Sequence, residues 1–398
     1  MAQPLKKKEV KTRKSSIADF KKKNNFEMNN ADKEMEWLIM PEAYQEALKL
    51  PGIPLNYFSI LCGHSNTGKS TLINHIIVAA QKQGYCPVIF DTENNFDWTY
   101  AIDMGMEAEP VEGDIEVEVT DPETGEISVE TKRGTVSYEG NFIYFNNNML
   151  CQKYGNFDHS TGKVGKGTRK VAVIEDIAMA MNELLNAQDE GELDMGLVFV
   201  WDSIGSIGCY KSYKSASNNA QWDAAAISVA FQQIVNNRIP SSKKVVSPYN
   251  NAFIATNKVW LDNSKNPMPG APPSLSLKGG QSMFYAARLI ILCGGQLTSG
   301  AKRLTATAKG RNYNFAIQTK LKVLKNQLPA PFTVSYEGEV ICTPHGMIST
   351  DKEALESYKK EHIGEIIKNL NSIDDNNFEK ITDASEVSYD ISETDEIG

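Results

Sequence analysis

Gly63-His64-Ser65-Asn66-Thr67-Gly68-Lys69-Ser70-Thr71 fits the phosphate-loop pattern G-x-x-x-x-G-K-[ST] at every fixed position. Its context agrees. The preceding run, Tyr57-Phe-Ser-Ile-Leu-Cys62, reads as a short buried strand, and Leu72, Ile73, Ile76, Ile77, Ala79 and Ala80 then recur at helical spacing until Gly84 offers a stop. The glycines therefore fall in a strand-to-helix turn. In such a turn, successive backbone N–H groups and the positive end of a helix hold a polyphosphate, Lys69 reaches the β and γ phosphates, and the Ser70 hydroxyl ligates Mg²⁺. The motif predicts binding of a nucleoside triphosphate.

The chain has 398 residues, 41% of them hydrophobic, enough for a sizeable core and for two or three domains. No apolar run is long enough to span a bilayer, and the lysine-rich N-terminus lacks a secretory pattern, so a cytoplasmic location and no membrane partner are expected. The six cysteines (62, 86, 151, 209, 293, 342) show no C-x-x-C and no cysteine–histidine cluster; reduced core residues are expected. The net charge of −9 argues superficially against nucleic acid, but it is unevenly spread. Lys6, Lys7, Lys8, Lys11, Arg13, Lys14 and Lys21 to Lys23 make a basic arm, whereas Asp374 to Glu396 carries many carboxylates against Lys380 alone.

After Gly84, Pro87-Val-Ile-Phe90 is a second buried-strand candidate and runs into Asp91-Thr-Glu93-Asn-Asn-Phe-Asp97-Trp-Thr-Tyr100, completing a βαβ unit. A carboxylate at that strand's carboxyl end faces the phosphate crevice, which makes Glu93 a candidate to activate water; the other reading, an acid in a helix's N-terminal turn stabilised by the macrodipole, applies better to Asp97 and stays open for Glu93. From about Glu107 to Lys170 the pattern changes. Ile115 to Val119 and Ile127 to Val129 alternate around the turn-rich Thr120 to Gly125, a β-hairpin within a surface insertion, and the polar Tyr154 to Thr168 reads as a mobile loop. Between them Phe142-Ile-Tyr-Phe145 is a further core strand, and Ile174, Ile177, Met181, Leu184 and Leu185 then mark an amphipathic helix.

Gly196-Leu-Val-Phe-Val-Trp201-Asp202-Ser203 is an apolar strand ended by an acid and a hydroxyl, the Walker B pattern, with Asp202 expected on the Mg²⁺ side beside Ser70. Two polar loops follow core strands. The first, Gly205 to Trp222, mixes Lys211 and Lys214 with Tyr210 and Tyr213, the composition of a single-strand binding surface. The second runs from Trp260 to Gly280 and holds Lys265, Lys278 and the Gly279-Gly280 pair, whose backbone amides suit a phosphodiester. Either loop also reads as an ordinary exposed connection. Leu289 to Leu292, Leu304 to Ala308, Phe315 to Lys325 and Thr333 to Ile341 are further strands expected to extend the sheet, and Lys352 to Leu370 is a helix.

This order of motifs, over residues 38 to 346, resembles the RecA family of recombinases. The resemblance implies an α/β fold: a RecA-like P-loop ATPase core with a mostly parallel twisted sheet flanked by helices, plus the β-hairpin insertion and a small C-terminal helical appendix. It implies ATP and Mg²⁺ as cofactors, with Gly63 to Thr71 around the phosphates, Lys69 and Glu93 in catalysis, Ser70 and Asp202 on the metal, and Asp97 and Tyr100 on adenine. Lys278-Gly279-Gly280-Gln281-Ser-Met-Phe284 is similar to the end of the family's second DNA loop, where Phe284 would couple neighbouring subunits. Lys320 to Phe332 is similar to the strand that sends basic side chains to the neighbour's γ-phosphate; Lys325 matches, while Gln327 replaces a second lysine of bacterial members. Lys258 stands where most members carry a γ-phosphate-sensing glutamine.

The resemblance further implies single-stranded and double-stranded DNA as partners, self-association as a helical filament, and single-strand-binding and loader proteins. The lack of the family's N-terminal domains and the insertion look more like a bacteriophage recombinase of the UvsX type, acting in the bacterial host cell. The expected organisation is a basic arm (1–36) with Phe20 as an anchor on the next protomer, the ATPase core (37–346) with its insertion at about 107–170, the helical appendix (347–372) and an acidic disordered tail (373–398). A hexameric helicase on the same core and a regulatory P-loop ATPase are the alternatives.

Overall fold

The computed structural model describes residues 19–24, 31–120, 127–217, 219–262, 274–296, 298–308, 311–333, 335–372 and 387–388. All six residues of Phe58–Gly63 and all six of Cys86–Asp91 are buried. That explains why both read as continuous apolar runs: strands covered by helices on both faces have no solvent side on which to alternate.

Among the described residues the main sheet has twelve strands. Six lie side by side and parallel, in the order Leu289–Cys293, Phe58–Gly63, Ala252–Asp262, Leu197–Ile204, Cys86–Asp91, Ile143–Asn146. Lys302–Ala308, Arg311–Asn326, Glu337–Thr343 and Gly346–Ser349 extend it beyond Leu289–Cys293 as antiparallel neighbours joined by short connections. The sheet is therefore mixed, parallel in the half that carries the motifs. One face is covered by helix Lys69–Lys82 through Leu72, Ile73, Ile76 and Ile77; the other is covered by Ile174–Asp189 and Ala220–Gln233. Each such buried Leu or Ile contributes about 1.5–3 kcal/mol.

Strand register brings the motifs together. Lys258 and Cys293 both pair with Gly63, and Asp202 pairs with Asp91, so the carboxyl ends of the parallel strands open on one crevice.

The segment 107–170 differs from a simple graft. The hairpin is longer than its alternating core: Glu109–Thr120 pairs with Ile127–Glu139. Ile143–Asn146 belongs to the main sheet as its edge strand. The stretch expected to be a mobile loop contains a small hairpin, Phe157–Asp158 with Lys163–Val164. Arg169 fixes the end of that stretch through two bonds to the fully buried Asp176 (2.6 and 2.9 Å), and His159 adds a third at 2.8 Å. A polar composition hid this, because the anchoring acid lies on the following helix.

Helix Lys352–Ser372 follows strand Gly346–Ser349 and buries Leu355 and Tyr358. No described helix is long and apolar enough to cross a membrane. The basic residues Lys6 to Lys14, Lys265 of the second loop, and the acidic segment from Asp374, apart from residues 387–388, lie outside the described residues.

Candidate functional site

Gly68 sits in the left-handed region (φ 87°) as the N-cap of helix Lys69–Lys82. A Cβ there would come within 2.7 Å of Cys342 Sγ, so both backbone and space demand glycine. The turn is further fixed by Thr67: its hydroxyl donates to His64 O (2.9 Å), and its carbonyl accepts from Thr319 Oγ1 (3.2 Å). Ser65, Asn66 and Ser70 are exposed. Lys69 folds over the loop, its Nζ donating to Gly63 O (3.1 Å) and His64 O (2.5 Å). Burial lowers its pKa, opposed by the thiol and carboxylate groups around it, Cys293 and Asp202 first. A cation so placed, half out of water, is poised for an anion of higher charge than a carbonyl dipole.

Two cavities meet at this turn. One, of about 580 Å³, is lined by the loop from Asn66 to Thr71 together with Asp97, Tyr100, Arg303, Phe315 and Pro344. The other, of about 240 Å³, brings Ser70, Asp91, Tyr100 and Asp202 onto one wall. Hard oxygen donors at a phosphate loop suit Mg²⁺, which binds through one or two protein oxygens plus phosphates and keeps its waters. No group of three or more His, Cys, Asp or Glu among the described residues forms a metal cage.

The carboxylates of the crevice are differentiated by their partners. Asp91 accepts from the backbone of Asn95 and Phe96 and from Tyr144 Oη (2.9 Å), and so holds the turn that follows it. Asp202 accepts from Thr256 Oγ1, and burial raises its pKa, with the charges of Glu93 and Asp91 adding to the effect. Glu93 accepts from Ser203 Oγ and forms an ion pair with Lys258 at 3.1 Å. Burial works to raise the Glu93 pKa, but Ser203 and Lys258 outweigh it and hold the carboxyl below its ordinary value. Glu93 is thus held as a carboxylate between Ser203 and Lys258.

Asp97 caps helix Trp98–Asp103 by accepting from Tyr100 N (3.0 Å), the bland role the sequence also allowed. Tyr100 joins Thr71 Oγ1 (2.8 Å) and Thr343 O (3.2 Å), tying the phosphate-loop helix to the antiparallel wing, and burial pushes its phenol up to about 12.

The two candidate DNA loops are more ordered than expected at their ends. Gly205 to Trp222 contains helix Tyr210–Lys214, and Trp222 already belongs to the next helix. Its cations have internal partners: Lys211 lies 4.3 Å from the Trp222 ring, and Lys214 approaches Asp158 (3.7 Å) and the Tyr210 ring (5.3 Å). The second loop leaves and rejoins the body as a hairpin, Ala252–Asp262 with Ser274–Leu277. Asn257 clamps its return, accepting from Lys278 N (3.2 Å) and donating to Lys278 O (2.7 Å), while Lys278 Nζ reaches Gly205 O (3.0 Å). Gly279 and Gly280 both have positive φ and lead into helix Gly280–Ala286. The ends of the two loops are therefore neighbours.

Lys325 lies elsewhere. Its strand pairs Leu321 with Cys293 but Lys325 with Ile290, three residues away, which puts Lys325 about 10 Å along the strands from the phosphate loop. Its Nζ donates to Phe284 O (2.6 Å) and Tyr285 O (2.9 Å), at the end of helix Gly280–Ala286, and lies 5.1 Å from the Phe284 ring. Burial, then Arg288, lowers its pKa. Gln327 is exposed close by, and Phe20 is 60% exposed in a short helical turn.

Sequence reasoning gave no roles to Ser203, Thr256, Thr319 and Arg303. Ser203 and Thr256 end apolar runs, a visible signal of a strand end; Thr319 and Arg303 carry no local signal, since only sheet pairing brings them to the loop.

No protein-family model matches the chain. The protein named Protein RecA of Xanthomonas axonopodis pv. citri is 25% identical over 332 residues, 80% of this chain and 74% of that protein, and that of Xanthomonas euvesicatoria pv. vesicatoria matches equally. Protein RecA of Herpetosiphon aurantiacus is 34% identical over 84 residues, 21% of this chain, which spans 22% of that relative's length. Along most of its length, the chain is thus distantly similar to RecA proteins.

Proposed function

We propose that this chain is a DNA-dependent ATPase that polymerises on single-stranded DNA and promotes homologous pairing and strand exchange in recombination and repair. The observation that carries the reading is the crevice: a phosphate loop with Lys69, an ionised Glu93, and Asp202 beside Ser70, at the carboxyl ends of the parallel strands. Similarity to RecA proteins across most of the chain supports the DNA part, together with the two polar loops whose ends meet at Gly205 and Lys278.

In this reading Gly63 to Thr71 and Lys69 bind the triphosphate, and Tyr100 and Asp97 border the base. Ser70 and Asp202 hold Mg²⁺, which supplies charge neutralisation at the phosphates. Glu93 orients water for attack. Lys211, Lys214, Lys265, Lys278, Gly279 and Gly280 contact DNA through its backbone, so sequence preference is slight. Phe284, Lys325 and Phe20 contact the next protomer in a filament, with Lys325 approaching that protomer's nucleotide. To do so, Lys325 exchanges its hold on the Phe284 and Tyr285 carbonyls for a phosphate. The insertion supports a bacteriophage protein of the UvsX type.

ATP hydrolysis measured with and without single-stranded DNA, alongside negative-stain imaging, tests this. DNA-stimulated hydrolysis with open helical filaments is expected. Closed rings that unwind duplex would instead indicate a helicase, and hydrolysis indifferent to DNA a regulatory ATPase.

A further inference from the structure

The stretch Lys163-Val-Gly165-Lys166-Gly167-Thr-Arg169-Lys170 closes the insertion and carries charge that the rest of the fold leaves unanswered. Lys163, Lys166 and Lys170 are exposed, and among the described residues no carboxylate pairs with any of them, whereas Lys132, Lys153, Lys243 and Lys244 each hold one. The fold does not ask for glycine at 167: a Cβ there would meet nothing within 4 Å, and its φ is not positive. What glycine supplies is a bare main chain that another molecule's backbone can approach. The surface is nevertheless firmly held. Arg169 and His159 both bond the buried Asp176, Arg169 Nη2 also donates to Tyr154 O (2.9 Å), and Gly165 N donates to Asn156 O (2.6 Å). The one acid of this turn, Asp158, is engaged by Ser160 and Thr161. The segment also packs on the first polar loop. His159 meets the Tyr210 ring edge-on at 5.2 Å, Arg169 lies 5.5 Å from that ring, and Lys214 approaches Asp158. Between segment and loop is a cavity of about 570 Å³, bordered by Asn147, Lys170 and Val171 on one side and by Ser206, Ser212 and the 42% exposed Tyr213 on the other.

We propose that the end of the insertion and the first loop form one binding surface for single-stranded DNA, in which Lys163, Lys166 and Lys170 meet phosphates and the cavity takes an unstacked base against Tyr213. Unpaired cations on a glycine-bared main chain match a regularly charged backbone. An aromatic ring beside hydroxyls and an amide gives a base a face to stack on and an edge to bond, whatever the base. A duplex keeps its bases paired and stacked, with none to offer the cavity, so the occupant is a single strand. Because Arg169, His159 and Asp176 fix the segment before DNA arrives, little ordering is left to oppose binding. A chain of net charge −9 holds a polyanion only where cations are gathered locally. This goes beyond the DNA reading given above and rests on it.

The test is fluorescence anisotropy of a labelled single strand and of the matching duplex over a series of NaCl concentrations, with the full chain, Mg²⁺ and a non-hydrolysable ATP analogue. Lys163→Gln, Lys166→Gln and Lys170→Gln together should make the plot of log affinity against log salt shallower by about two for the single strand, at ~0.7 per lost phosphate contact. A control that removes the same charge from ion-paired positions, Lys132→Gln with Lys243→Gln and Lys244→Gln, should keep the wild-type slope. Tyr213→Leu should weaken single-strand binding about fivefold or more and leave the slope alone. Duplex binding should change less in both cases. A wild-type slope in the lysine variant, an equal change in the control, full affinity in Tyr213→Leu, or losses as large on duplex as on single strand would overturn the proposal while the DNA reading stands. A wild type that binds no DNA would overturn both.

Discussion

The two ends of the parallel strands differ in how their charges are used. At the carboxyl end, Asp91, Glu93, Asp202, Lys69 and Lys258 crowd into one crevice, and each has a hydroxyl, amide or opposite charge to meet. At the other end, Lys325 is turned onto the last carbonyls of helix Gly280–Ala286, and Phe284 and Tyr285 stand 36% and 66% exposed beside it. The first end is organised to redistribute charge when a polyanion arrives. The second presents aromatic surface and a cation held at a helix C-terminus, where the dipole favours it. In the proposed function one sheet separates chemistry from contact, and helix Gly280–Ala286, which starts beside the second loop and ends at Lys325, spans the two.

The contrast breaks most severely at Lys69. Lys69→Ala should lower ATP hydrolysis by at least about a hundredfold, since a positioned charge on the reacting phosphates is lost, while far-ultraviolet dichroism stays unchanged. Wild-type phosphate release by this variant would mean the crevice is not where ATP is cleaved. At the far end, Phe284→Ala with Lys325→Ala should leave nucleotide binding by the dispersed protein intact but weaken ATP-dependent assembly about tenfold or more, read by light scattering. Equal losses in binding and assembly would erase the distinction between the ends.

A smaller effect concerns neither end. Trp98 stacks on Tyr138 with centroids 4.5 Å apart, joining the long hairpin to the body. Tyr138→Ala should cost about 1 kcal/mol in urea unfolding and leave kcat unaltered. A change in kcat would bring the hairpin into the reaction.

The smallest expected effect is on pH. Glu93 has a depressed pKa, so its stabilising contribution is present above the ordinary carboxylate range and is lost as pH falls through the depressed value. In Lys258→Met, burial is opposed by Ser203 without the lysine's help. The acid limb of kcat/KM should therefore move to higher pH, and a limb that stays put would show that Lys258 does not govern the base.

What could be read from the sequence follows from where the physical constraint is local. Gly68 and Lys69 are legible because a turn that turns amides on a phosphate admits few residues. Asp202 and Glu93 are legible because each follows an apolar run whose strand character is plain. The Lys258–Glu93 pair was not, because its partners come from strands far apart in the chain and meet only through sheet order. The same applies to Arg169 and Asp176, which gave order to a stretch whose composition reads as loop. Trp222 falls in the polar stretch read as a loop, whereas Asn219 caps the helix that contains it, its side chain accepting from Gln221 N at 2.9 Å.

All six cysteines are free and buried, and burial pushes the thiols of Cys86 and Cys342 up to about 11 and that of Cys293 to about 12. The thiolate is the reactive form, so the folded chain is chemically silent toward maleimides near neutral pH. A single cysteine placed at the exposed Phe20 would then be the one site that takes a dye, without removing any native thiol. The same silence makes slow labelling of the unaltered chain a clock for its global opening.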